Sequence, residues 1–151
     1  MNRMRSTKLL VAVAVGTGLV FGTDSILGAT ASSAVLQCSA KTLDGSYGYI
    51  VNGTNVGGAL VPGPVAAVGL ARADGAGNLT ATDTLSVNGT VLRRAISGTY
   101  TITAACTGQL TFTDNFGQTT HVDFVVSQNR QEFTFIQTDT GAVTTGTAKK
   151  Q

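Results

Sequence analysis

The stretch "LTATDTLSVNGTVLRRAIS", residues 79–97, decides how this chain is read. In its first nine residues Leu79, Ala81, Leu85 and Val87 take one side, and threonine and serine take the other. A period of two marks a strand with one buried face and one wet face. Asn88-Gly89 follows, a dipeptide suited to the two positive-φ positions of a tight hairpin turn. Beyond the turn, Leu92, Arg94 and Ile96 share a face. The stretch therefore reads as a β-hairpin, and one residue in each strand breaks the pattern. Asp83 and Arg94 both fall on the apolar faces, at equal distances from the centre of the turn. That symmetry predicts a direct cross-strand pair. A charge turned into a core is costly unless it is paired. The pair is then either a structural plug or the polar anchor of a ligand site. A bulge that returns both side chains to solvent is the other reading.

The same grammar extends in both directions. Runs rich in Val, Ile, Thr, Phe and Tyr recur at 46–51, 65–73, 99–106, 109–114, 119–127, 132–138 and 142–149, separated by Gly, Asn or Asp. With 79–87 and 90–97 they predict eight or nine short strands. After residue 31 no window sustains a helical period, so there is no room for crossover helices and the sheet must be antiparallel. The expected fold is all-β, an up-and-down barrel, with a two-sheet sandwich as the alternative. One long connection, "NGTNVGGALVPGP" at 52–64, reads as either a lid over the barrel or a surface excursion.

The N-terminus reads as a secretory leader. Arg3, Arg5 and Lys8 precede a fourteen-residue apolar run, and Ala29-Thr30-Ala31 supplies small residues for cleavage before Ser32. The run is short for a membrane span. The expected organisation is a signal peptide over 1–31 and one domain over 32–151, in a secreted, extracellular or periplasmic protein with no integral span after cleavage. Three of the ten basic residues and one of the eight acidic residues lie in the leader, which leaves the domain electrically balanced. Nothing in that balance points to nucleic acid. Cys38 and Cys106 are the two cysteines of the chain. In an exported chain they predict a disulfide rather than a zinc pair or a free thiol.

The order Gly45-x-Tyr47, Asp74 to Asn78, Asn88-Gly89, Gly98 to Thr101, Cys106 to Phe112 and Phe133 to Ala148 resembles small secreted bacterial β-rich proteins of unassigned function. The hairpin-after-hairpin layout is more distantly similar to calycin-like barrels of the allene oxide cyclase and dirigent type. Those include small-molecule binders and cyclases, but none of their catalytic motifs is matched here, so no activity is carried over.

Candidate chemistry is sparse. "ADGAGN" at 73–78 offers one carboxylate and one amide, too few for a calcium loop, and reads as a turn. His121 is the only histidine, two residues from Asp123 on a polar strand face, with no nucleophile motif beside it. Asp83 and Glu132 are the carboxylates that could meet across a barrel. No metal site and no cofactor is expected. Asp83, Arg94, Tyr47 and Tyr100 are the candidate ligand contacts, and Tyr49 is a further tyrosine that could line a cavity mouth. The expected function is non-enzymatic binding of a small apolar molecule or association with a cell-envelope component. A cofactor-free barrel enzyme using Asp83, Arg94 or Tyr100 is the second reading, and a structural or adhesive protein the third.

Overall fold

The computed structural model describes residues 37–151, so the expected leader lies outside the described residues. A short 3-10 turn, Ala40–Leu43, leads into eight strands: β1 (Gly45–Asn55), β2 (Gly63–Ala73), β3 (Asn78–Val87), β4 (Thr90–Ile102), β5 (Thr107–Asp114), β6 (Thr119–Val126), β7 (Glu132–Gln137) and β8 (Ala142–Lys150). Each strand pairs antiparallel with its sequence neighbours, and β8 returns to β1, so the sheet is a closed up-and-down barrel and not a sandwich. Closure leaves no free edge. The alternation read from the sequence is the alternation of burial, unbroken along β6 from exposed Thr119 to buried Val126.

Two of the expected strands are one. Residues 90–97 and the first part of 99–106 form the continuous β4, and Gly98 is an inward position within it. A Cβ there would lie 2.4 Å from the Thr111 carbonyl oxygen and 2.6 Å from Phe112 Cβ. Three other inward glycines are covered in the same way: Gly69 by Tyr49, Gly108 by Phe124 and Gly146 by Phe135. At these three the missing side chain lets a neighbouring strand's aromatic ring cross over the backbone, a device for bending a sheet into a barrel. β1 also runs on to Asn55, which shortens the expected 52–64 loop to residues 56–62. At the β3–β4 turn Asn88 (φ 46°) and Gly89 (φ 85°) supply the two left-handed residues the hairpin requires.

The connections alternate between the two ends of the barrel. At the end where β1 begins, Leu43, Tyr47, Tyr100, Phe124 and Val126 form the main core cluster. The Tyr100 hydroxyl donates to the Ala40 carbonyl at 3.0 Å, tying the 3-10 turn down over the strands. Cys38 and Cys106 form the expected disulfide at this end, with a Cα–Cα distance of 5.0 Å. Closing so long a loop stabilises the fold by about 4 kcal/mol on chain entropy alone.

Toward the opposite end the interior is not filled. The inward face of β2 is Gly63, Val65, Ala67, Gly69, Ala71 and Ala73, nearly all small. Eight strands enclose a space that side chains of ordinary size just fill, so a face this small leaves a void.

Candidate functional site

That void is a cavity of about 380 Å³. Val51, Ala67, Ala71, Leu85, Leu92 and Phe112 are among the side chains that line it. It extends to a mouth formed by the 56–62 loop and the β3–β4 and β5–β6 turns, where Val61 and Phe116 stand exposed. Ala59, Leu60 and Val61 belong to the wall of this cavity. Asn55 Nδ2 donates to the Val61 carbonyl at 3.1 Å, and the Val56 N–H donates to the Gly141 carbonyl at 2.7 Å. The loop is thus pinned across part of the mouth and is not a detached surface excursion.

A charged group stands in the mostly apolar wall. Asp83 and Arg94 are direct partners in the β3–β4 register, as their distances from the turn require. Arg94 Nε donates to Asp83 Oδ1 at 2.9 Å and Nη2 to Oδ2 at 2.6 Å, a bidentate pair with Asp83 fully enclosed. No bulge returns either residue to solvent. The Tyr49 hydroxyl crosses β2 to donate to Asp83 Oδ2 at 2.8 Å. Gly69 makes the crossing possible: a Cβ there would lie 2.6 Å from both Tyr49 Cζ and Asp83 Cβ. Burial, then the Asp83 charge and hydrogen bond, push the Tyr49 phenol well above its ordinary range. Burial pulls the Arg94 guanidinium down, but the hydrogen bond and charge of Asp83, with Tyr49 and Asp114, outweigh it and leave the pKa raised. Asp114 adds a second carboxylate, with Oδ2 3.6 Å from Arg94 Nη1.

Of the residues singled out in the sequence, Asp83 and Arg94 are therefore brought together, and Arg94 lines the cavity while Asp83 sits behind it. Tyr47 and Tyr100 are not brought to the cavity. Both lie in the core cluster of the plugged end, Tyr47 edge-on to Phe133 at 5.3 Å between ring centroids. Burial, and then the nearby Tyr100 and Asp44, raise the Tyr47 phenol pKa. Tyr49 is the tyrosine that reaches the lumen, and its signal was its place two residues beyond Tyr47 on the same strand face. Asp114 was missed altogether. Its signal was the alternation Leu110, Phe112, Asp114, which turns it inward.

The other candidates resolve as surface or turn features. His121 pairs with Asp139 rather than with Asp123: Nδ1 lies 2.7 Å from Asp139 Oδ1, and the His121 N–H donates to Oδ2 at 3.0 Å. Glu132 faces Lys149 on the outside of the barrel and does not meet Asp83. Asp74 is occupied by its own turn, where Oδ1 accepts the N–H groups of Ala76 and Asn78. Among the described residues no helix is long and apolar enough to cross a membrane.

No protein-family model and no curated protein matches the chain. Solved structures match it in fold. One, a redesigned beta barrel, mFAP1, bound to DFHBI, has a TM-score of 0.55 at 14% identity and covers 74% of this chain and 98% of that one. Another, EF1p2_mFAP2b bound to DFHBI, has a TM-score of 0.52 at 10% identity and covers 75% of this chain and 97% of that one. At these identities the likeness is one of fold.

Proposed function

We propose that this protein is a non-enzymatic binding protein that holds one small, largely apolar molecule in the barrel lumen. The cavity carries the reading: about 380 Å³ of apolar-walled space, reaching a mouth at one end above a tyrosine-packed plug at the other. Pockets for small molecules run from roughly 300 to 1,000 Å³. A dry cavity of roughly 150 Å³ already takes up benzene, so a molecule of about two rings is accommodated. That two barrels of this fold were solved bound to DFHBI supports a ligand-holding role. The leader-like N-terminus and the disulfide support an exported protein, extracellular or periplasmic, where it would meet such a molecule or a component of the cell envelope. A cyclase-like activity has less support. Both oxygens of Asp83 are already engaged by Arg94 and Tyr49, so the carboxylate holds geometry instead of standing ready as a base.

A neutral apolar fluorophore, N-phenyl-1-naphthylamine, tests the proposal. The wild-type protein is expected to bind it saturably at one to one. Ala71→Phe, or the milder Ala67→Leu, places bulk in the lumen and is expected to weaken binding at least about tenfold with an unchanged circular dichroism spectrum. Absence of saturable binding, or binding indifferent to both substitutions, would overturn the proposal.

A further inference from the structure

The wall of the lumen carries a donor and an acceptor that the fold itself leaves unused. Arg94 spends Nε and Nη2 on Asp83. Its third nitrogen, Nη1, has only the 3.6 Å approach to Asp114 Oδ2, which is too long for a hydrogen bond. Asp114 is divided in the same way. Its Oδ1 holds the β5–β6 turn by accepting the N–H groups of Phe116 at 2.9 Å and Gln118 at 3.0 Å. Its Oδ2 accepts no hydrogen bond among the described residues. Arg94 and Asp114 both line the cavity, so an N–H donor and a carboxylate acceptor face the same apolar space side by side.

We infer that the lumen selects apolar molecules ending in a neutral hydroxyl, and that the hydroxyl docks between Arg94 Nη1 and Asp114 Oδ2. The inference rests on the lumenal reading above and names its ligand class. A hydroxyl both accepts and donates, so one small group can accept a hydrogen bond from Nη1 and donate its own to Oδ2. Each of those bonds has a charged partner, which roughly doubles its strength over a neutral one. A ketone satisfies only the donor. A carboxylate meets a worse field, because two carboxylates already surround one guanidinium and the group is net negative. An ammonium suits Asp114 but is driven against Arg94. The rest of the wall is mostly aliphatic and aromatic carbon; of its other polar side chains, Asn55, Gln118 and Gln137 already donate to Val61, Thr119 and Asp139, and Thr144 donates to Gln137.

Three probes of one shape separate these cases: naphthalene, 2-naphthalenemethanol and 2-naphthoate. The chain has no tryptophan, so naphthalene emission reports binding directly. At neutral pH the alcohol is expected to bind at least about tenfold more tightly than naphthalene, with naphthoate the weakest of the three. Asp114→Asn keeps a side-chain oxygen for the β5–β6 turn but removes one negative charge. It is expected to weaken the alcohol and strengthen naphthoate about tenfold each, inverting their order. The comparison of probes on the wild-type protein stands whether or not that variant folds. Naphthalene binding as tightly as the alcohol, or naphthoate binding most tightly to the wild type, overturns the hydroxyl inference and leaves lumenal binding intact. Failure of all three probes to bind overturns both.

Discussion

At the end of the barrel where β1 begins, Tyr47 is 1% exposed and packs with Leu43, Tyr100 and Phe124 beneath a disulfide-anchored turn. At the opposite end Val61 and Phe116 are 63% and 59% exposed around the mouth of a cavity. The same alternating strands run through both ends, so backbone geometry does not make the difference. Side-chain volume does. Large residues converge on the first end, while the small inward face of β2 leaves the second unfilled. Tyr49 and Arg94 stand in the cavity wall, with Asp83 behind them. An eight-stranded barrel can thus combine a filled core with an open cavity by dividing its length.

The largest test of that division is a pair of truncations. Tyr47→Ala removes a ring from the filled end and is expected to cost about 4 kcal/mol. Leu92→Ala, at a half-buried position already facing the void, is expected to cost under about 1 kcal/mol, because few packing contacts are lost. Urea denaturation of both variants reads the difference, and equal costs would break the comparison. Next, replacing Cys38 and Cys106 by serine is expected to cost about 4 kcal/mol. The loss should fall on the plugged end, with earlier hydrogen exchange there and an unchanged dissociation constant for a lumenal probe; a weakened probe would show that the two ends are coupled.

The smallest effect is on acid stability. Asp74 lies in a turn at the plugged end, and the Asn78 side chain first, then backbone N–H groups, lower its pKa to about 2. Asp139 lies in the β7–β8 turn at the mouth. Burial raises its pKa, but hydrogen bonds from His121 and Gln137 outweigh this and leave it lowered. A carboxyl lowered in the folded state stabilises the fold above its unfolded pKa, near 3.9, and loses that contribution as pH falls through the folded value. Neither turn is therefore expected to weaken between pH 7 and 5; both weaken only in stronger acid. Carboxyl NMR titration checks this, and Asn78→Ala is expected to move Asp74 back toward the ordinary carboxylate range while leaving Asp139 in place.

Much of the fold was legible because a strand's period of two is local. Residues 79–97 alone yielded two strands, their turn, the inward faces and the register that sets Asp83 against Arg94. Gly98 was misread for the opposite reason. A glycine between two apolar runs looks like a break until the backbone of Thr111 and Phe112 on the next strand is seen pressed against it. Tyr47 and Tyr49 show a similar limit. They sit two residues apart on one face, and nothing local says that the first belongs to the plug and the second to the lumen wall. Asp114 shares β4–β5 pairing with Ile96, and only that register carries its carboxylate toward Arg94.

The sequence by itself determined an antiparallel all-β chain, the alternation of its faces and the register that sets Asp83 opposite Arg94, since each follows from neighbours along the chain or across one tight turn; with two cysteines in the chain, one intramolecular disulfide was the expected pairing. Tertiary structure alone decided that the sheet closes with eight strands, that β2's small residues face a void, and that Arg94 and Asp114 share its wall. Those outcomes depend on how strands stagger around a closed ring, which sets the height of every inward side chain and is a property of the whole sheet.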